Sequence, residues 1–244
     1  MHRFFVRPEV VVGEQVSIDG ELAHQLTNVL RLAQGDRVLL LDDSGWEYQV
    51  ELGRFDAKRI AGRVLQKGPS RGEPATSIVL YQGLLKANKF EYVLQKGTEV
   101  GIAAFVPLIC RRSVPDISAE SVRSKVARWR KIVQEAAEQS GRGRLPELRE
   151  PCSFEEAVGV QGMFLLLWEG EGETGLKEAL RRHAPGGPVG LFVGPEGGFT
   201  AEEVALARAQ GGVAVTLGKR TLRAETAGLV AASIVLFERG ELGG

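Results

Sequence analysis

The hydrophobic pattern changes character partway along the chain. Up to about residue 67 apolar positions come in short runs and alternations. The stretch Val38-Leu-Leu-Leu41 stops at Asp42-Asp43-Ser44-Gly45 and resumes with Trp46, Tyr48 and Val50, the signature of a β-hairpin. Ile60, Val64 and Leu65 predict a further strand. Between these strands and the N-terminus, Leu22, Leu26, Val29 and Leu30 fall at helical spacing within Glu21–Leu32, closed by Gly35. Gly68-Pro-Ser-Arg-Gly-Glu-Pro74 has no periodicity and reads as a linker.

Beyond it, apolar strands alternate with helices. Strands are predicted at Ser77–Leu84, Phe105–Cys110, Met163–Trp168, Val189–Val193 and Val213–Leu217. Helices are predicted at Lys86–Val100, Ser118–Ser140, Gly175–Arg182, from Thr200 to Gln210, and at Glu225–Phe237. Val122, Val126, Trp129, Val133 and Ala136–Ala137 form the buried stripe of the second helix, which makes Trp129 a core residue. Ser153-Phe-Glu-Glu156 and Thr200-Ala-Glu-Glu203 are capping boxes, each opening a helix. Near-continuous apolar strands alternating with helices predict an α/β fold with a mostly parallel sheet covered on both faces. The domains expected are 1–70, small and β-rich, and 71–244, α/β.

Composition narrows the class. The 244 residues carry 31 Lys+Arg and 31 Asp+Glu, so the chain is not one that coats nucleic acid with its whole surface. Within Arg111–Arg149, however, 10 basic residues face 5 acidic ones, a local surplus suited to phosphate; a solvated helix face has the same composition. Cys110 and Cys152 are the only cysteines, which excludes a disulfide framework or a cysteine-rich zinc site. His2, His24 and His183 are too scattered for a metal site, so none is expected. His24 is read as a packing or capping residue. No apolar run reaches membrane-spanning length and the N-terminus has no export-signal pattern, so a cytoplasmic location without membrane is expected.

Ligands of open α/β sheets sit beyond the carboxyl ends of the strands. Three strands here end in unusual loops: Glu169-Gly-Glu-Gly-Glu173, Gly194-Pro-Glu-Gly-Gly-Phe-Thr200 and Gly218-Lys-Arg-Thr-Leu-Arg-Ala-Glu225. The middle loop has three glycines in five residues, which lets backbone approach a ligand closely. It is neither a phosphate loop nor a dinucleotide fingerprint, and Glu196 at its centre repels a polyphosphate. A neutral or cationic ligand with hydroxyls, such as a nucleoside attached to a sulfonium, suits it better; so does a plain strand-to-helix turn. In the last loop Lys219, Arg220 and Arg223 stand beside Glu225 and Thr226, either as a structural ion pair or as a charge clamp next to a general base. The helix that follows is apolar almost all round and too short for a bilayer, so burial against a second subunit is expected.

Val193-Gly-Pro-Glu-Gly-Gly-Phe-Thr200 followed by Leu217-Gly-Lys-Arg-Thr-Leu-Arg-Ala-Glu-Thr-Ala227 closely resembles the 16S ribosomal RNA uridine N3-methyltransferase family, within the SPOUT class. The likeness extends to Arg3-Phe4-Phe5, His24…Val29-Leu30-Arg31…Gly35, Gln95–Gly101, and Arg128-Trp129 through Leu145-Pro146. Val100 and Lys219 depart from the family's usual Leu and frequent Pro, away from the expected chemistry. The resemblance implies a PUA-like β-barrel at the N-terminus for RNA docking, a deep trefoil knot in the C-terminal domain, a homodimer, and the cofactor S-adenosyl-L-methionine. A knot is not deducible from pattern, because threaded chains are rare.

The reaction so implied methylates N3 of a uridine in 16S rRNA of the small ribosomal subunit, and N3–H is a poor nucleophile until deprotonated. Glu225 is the first candidate for the base and Glu196 the second. Arg223 would stabilise the developing negative charge, with Arg220 placing phosphate or base. Expected cofactor contacts are Leu167, Trp168 and Glu169; Phe192, Val193, Gly194, Pro195, Glu196 and Gly197; Leu217, Gly218 and Leu222; and Thr226. Expected RNA contacts are Arg3, Arg7 and Arg31 on the small module and Arg111, Arg112, Arg142 and Arg144 in the basic stretch. Two alternatives stay open: a related enzyme acting on another RNA atom or on transfer RNA, and an RNA-binding assembly factor without catalysis.

Overall fold

A computed structural model describes residues 1–56, 59–113, 119–159, 162–182 and 187–243. Ser118, His183 and the side chain of Val122, named above, lie outside the described residues. The chain divides into two compact units, Met1–Glu73 with Ala137–Leu145, and Pro74–Ala136 with Pro146–Gly244.

The first unit is a six-stranded sheet of β1 (Arg3–Phe5), β2 (Val11–Val12), β3 (Gln15–Asp19), β4 (Arg37–Leu41), β5 (Trp46–Asp56) and β6 (Arg59–Pro69). Its order is β1-β4-β5-β6-β3-β2, antiparallel except for the β1/β4 pair. The β4–β5 hairpin forms where its pattern predicts it. Asp42 accepts from the Ser44 amide at 3.1 Å and from the Tyr48 hydroxyl at 2.8 Å, while Asp43 and Gly45 take positive φ through the turn. Burial pushes the Asp42 carboxyl up, and these hydrogen bonds outweigh it and hold it below its ordinary value. Phe4, Ile18, Leu26, Val38, Leu40, Val50, Leu52 and Ile60 close the core.

Three local expectations change. The single helix predicted over Glu21–Leu32 is instead α1 (Gly20–His24) running into a π-helical turn, Gln25–Val29. Thr27 Oγ1 turns back onto the Ala23 carbonyl, and the segment stops at Arg31 (φ +54°), four residues short of Gly35. His24 is exposed, and at the start of the π-helical turn its side chain makes no capping hydrogen bond, so it is neither the buried packing residue nor the cap expected. Gly68 and Pro69 are not linker but the end of β6, opposite Glu47 and Trp46.

A segment from much later in the chain completes this unit. Glu73 accepts from Arg142 Nε at 2.7 Å and Nη2 at 3.0 Å, and from the amides of Gly143 and Arg144 at 3.0 and 3.1 Å. The Gly45 amide donates to the Gly143 carbonyl, and the Leu145 amide to Asp43. The split at residue 70 expected from composition therefore misses Ala137–Leu145.

The second unit holds β7 (Ile78–Gly83), β8 (Ala104–Ile109), β9 (Glu147–Leu148), β10 (Cys152–Ser153), β11 (Met163–Leu167), β12 (Val189–Val193) and β13 (Val213–Val215). Every described pairing among them is parallel, in the order β10-β8-β7-β12-β11-β13 with β9 also beside β8. The helices are α2 (Lys89–Val100), α3 (Ala119–Ser140), α4 (Phe154–Ala157), α5 (Leu176–Arg182), α6 (Ala201–Ala209) and α7 (Ala224–Glu238).

Because successive strand residues point to opposite faces, each strand feeds two cores. Ile78, Leu80, Leu165, Leu191, Val193 and Val215 pack with Phe90, Val93, Trp129, Val133, Ala231 and Val235 on one face. Val79, Tyr81, Phe164, Leu166, Phe192 and Ala214 pack with Phe154, Phe199, Val204 and Ala207 on the other. Trp129 is buried against Phe90, ring centroids 4.5 Å apart, as its place on the stripe requires. Both capping boxes form as predicted. Glu203 of the second also accepts from the Arg111 amide at 2.9 Å, tying α6 to the loop after β8. Among the described residues no helix is long and apolar enough to cross a membrane.

Candidate active site

Register positions the site. Gln82 pairs with Val193, Val193 with Leu167, and Leu167 with Val215, so β12, β11 and β13 end at one level and β7 one residue beyond it. The loops after β11, β12 and β13 consequently open side by side and enclose a cleft of about 650 Å³, within the range of small-molecule sites. Leu167, Val193, Val215, Leu217, Leu222 and Ala227 supply apolar wall.

Close backbone approach shapes the middle loop. A Cβ on Gly194 would stand 2.9 Å from the Gly198 carbonyl carbon, and one on Gly83 2.4 Å from the Pro195 nitrogen. Gly218, at φ +109°, borders open space in the third loop. The first loop is braced by Glu171, which accepts from the amides of Glu173 and Thr174 and pairs with Arg208 at 2.7 Å; Arg208 in turn lies over the Trp168 ring. The two amides, with Arg208 adding, hold the Glu171 carboxyl below its ordinary value.

Of the residues assigned to the cofactor, Leu167, Trp168, Glu169, Val193, Gly194, Pro195, Glu196, Leu217, Gly218 and Leu222 line the cleft; Arg220, Arg223 and Glu225 line it too. Three do not. Phe192 alternates onto the opposite face and stacks on Tyr81 at 4.2 Å. Gly197 turns to Arg112, whose Nη1 donates to its carbonyl at 2.8 Å. Thr226 lies beside the cleft on α7 without lining it.

The charges divide unequally. Lys219, Arg220 and Arg223 are exposed, and among the described residues none forms an ion pair. The ion pair between Arg223 and Glu225 left open by the sequence does not form; Glu225 Oε2 lies 3.7 Å from Lys89 Nζ, is buried, and accepts no hydrogen bond. Glu196 accepts from the Lys86 amide and from Lys89 Nζ, both at 3.2 Å. Burial pushes the Glu196 carboxyl up, but the Lys86 amide, its own backbone amide and the Lys89 ammonium outweigh that and hold it below 4.5. A carboxylate so held is a weakened proton acceptor.

Lys89 was missed by sequence reasoning. The available signal was electrostatic: a lysine at the first residue of α2 opposes the helix dipole and needs a compensating anion.

Because Glu196 titrates below its ordinary value in the fold, its contacts stabilise above that value and cease to as pH falls through the lowered one. Glu196→Gln is therefore expected to unfold more easily than the parent at pH 7, by about 0.5 kcal/mol for so accessible a pair. In acid-denaturation series the two chains should converge once the pH has fallen through that lowered value.

The arginines assigned to RNA are distributed over both units. Arg7 and Arg31 are exposed, with Arg7 3.2 Å from Glu9; Arg3 is half-buried. Arg144 is exposed and donates to the Ser44 carbonyl, and Arg111 is exposed beside Glu202. Arg142 requires correction: it is 3% exposed, with its guanidinium on Glu73, and is a structural residue of the first unit.

Comparison with known proteins puts a class to the second unit. The family model described as an RNA methyltransferase domain matches residues 72–236, which take in the whole parallel sheet and the cleft. Over 98% of its length the chain is 33% identical to ribosomal RNA small subunit methyltransferase E of Bacillus subtilis, covering 97% of that protein. It is 34% identical to the Synechocystis protein of the same name, over 94% of this chain and 75% of that one. The chain belongs to the ribosomal RNA small subunit methyltransferase E family. Among solved structures, that of the Neisseria gonorrhoeae member bound to S-adenosyl methionine superposes with a TM-score of 0.83 at 29% identity, covering 98% of both chains. A Legionella pneumophila methyltransferase in complex with the cofactor SAM gives 0.85 at 30% identity, covering 97% of both.

Proposed function

We propose that this chain, an S-adenosylmethionine-dependent rRNA methyltransferase, methylates N3 of a specific uridine in 16S rRNA of the small ribosomal subunit. The observation that carries this reading is the arrangement at the cleft: a buried carboxylate oxygen of Glu225 without a hydrogen-bond donor, beside cations without carboxylate partners. S-adenosylmethionine, when bound, supplies a methyl group on a sulfonium with a good leaving group. The cleft suits it in shape and charge. Leu167, Val193, Leu217 and Leu222 offer walls for an adenosine, Gly194 and Gly218 allow backbone approach, and Glu169, Glu171 and Glu196 favour a cation over a polyphosphate.

Uracil must lose its N3 proton as the new carbon–nitrogen bond forms. Glu225 accepts that proton, and Arg223 stabilises the negative charge that spreads to the uracil oxygens. Arg220 and Lys219 hold phosphate or base alongside. N3 lies on the pairing edge, so the uridine is bound unpaired or flipped.

The remaining parts follow the same reading. The six-stranded unit is a PUA-like barrel that docks RNA through Arg3, Arg7, Arg31 and Arg144, and the second unit by itself presents Arg111 and Arg112. The return of the chain from β12 past β11 to β13, followed by packing of α7 on β12 and β7, supports the trefoil knot. The working form is a homodimer in the cytoplasm. Its support is the outer side of α7, where Leu229, Val230 and Ile234 are only half-buried and Phe237 is 59% exposed.

The test is transfer from labelled S-adenosylmethionine to small subunits and to naked 16S rRNA, both from a strain lacking the gene. Digestion should yield 3-methyluridine; another methylated nucleoside would overturn the choice of atom.

A further inference from the structure

Both candidate carboxylates of the cleft meet one cation, which comes from neither of their loops. Lys89 Nζ lies 3.2 Å from Glu196 Oε1 and 3.7 Å from Glu225 Oε2. The first distance is a hydrogen bond; the second is a charge contact without one. Glu196 Oε1 also receives the Lys86 amide, so the middle loop is held on the start of α2 by two donors. Glu225 Oε2 is buried and receives none.

The local chain meets two unfavourable conditions to achieve this. Lys89 is the first residue of α2, where a positive charge faces the positive end of the helix dipole. Ala87, two residues earlier, has φ +52°, a left-handed conformation that an alanine rarely adopts. Both are unfavourable for the helix alone. Together they place the Lys86 amide on Glu196 and the Lys89 ammonium between two acids. Strain concentrated on one contact of a cleft points to a function for that contact.

We infer that Lys89 is a positioning residue for methyl transfer: it commits Glu196 to the scaffold and keeps Glu225 as the carboxylate free to accept the substrate proton. The inference rests on Glu225 being the base. A cation that hydrogen-bonded Glu225 directly would take up one of the carboxylate's acceptor sites. At 3.7 Å, Lys89 instead balances the charge of Glu225 and leaves its acceptor capacity unspent. Without Lys89 the two acids have no shared counter-charge, and Glu196 keeps only amide donors.

The test compares Lys89→Met, Lys89→Arg and Glu225→Gln, and the Lys89→Met/Glu225→Gln double variant, in single-turnover methyl transfer and in S-adenosylmethionine titration. Lys89→Met is expected to lower the single-turnover rate about 10–100-fold while cofactor Kd changes less than about threefold. Lys89→Arg should recover most of the rate. In the Glu225→Gln background, Lys89→Met should cost nothing further, because the residues act as one unit. A rate left intact with weakened cofactor binding, or additive losses in the double variant, would overturn the inference and make Lys89 a strut of the loop. An inactive Glu225→Gln with a fully active Lys89→Met overturns the role of Lys89 alone, whereas an active Glu225→Gln removes the base and the positioning role together. Should Lys89→Met not fold, Lys89→Gln carries the same comparison.

Discussion

Glu225→Gln is expected to lower kcat by about 10²–10⁴-fold, the contribution of a positioned general base, while the chain still folds and still binds its cofactor. Gln keeps the size of the side chain and its place in the first turn of α7, so α7 itself has little reason to shift. What it loses is the ability to take a proton from uracil N3 and the charge contact with Lys89. Thermal unfolding and S-adenosylmethionine titration separate those losses from misfolding. Raising the pH should recover part of the rate as hydroxide replaces the missing base. Undiminished kcat would move the base elsewhere, and Glu196, bonded to Lys86 and Lys89 and held acidic, would be a poor successor.

Arg142→Ala is expected to destabilise the first unit by about 3 kcal/mol, the lower part of the range for removing one partner of a buried ion pair. Glu73 retains two amide donors and is 18% exposed, which moderates the loss. Arg7→Ala should by contrast change stability by less than about 1 kcal/mol, since its pair with Glu9 is solvent-exposed. Denaturant midpoints of the two variants distinguish these cases. An Arg142→Ala chain of parental stability that binds RNA poorly would restore Arg142 to the RNA surface.

Arg142 also marks where sequence reading stops. The hairpin at Asp42–Gly45, the parallel strands, both capping boxes and the three cleft loops were legible because their causes are local: alternation, turn chemistry, and side chains three residues from their partners. Glu225 and Arg223 were legible as charged groups after a strand end, and both line the cleft. Arg142 was not, because a basic stretch gives no hint that Glu73, far off in the chain, waits for one of its members. Lys89 was missed for the same reason; its partners lie 107 and 136 positions away, and only folding brings them to it. Phe192 failed by one position. The loop's neighbourhood was right, but the two-residue period turns that side chain to the far face. The π turn at Gln25–Val29 shows the other limit, since apolar spacing alone cannot tell it from an ordinary helix.

The level ending of β12, β11 and β13, with β7 one residue longer, makes strand length a property of the site in its own right. Adding or dropping one residue in any of them would both retract a loop and exchange the two cores, so point substitutions can remodel this cleft while length changes in its strands cannot. The opposite rim of the sheet is under no such rule. Diversity among chains built this way should therefore gather as insertions at the amino ends of the strands and as residue swaps at their carboxyl ends, two separate grammars written along one sheet.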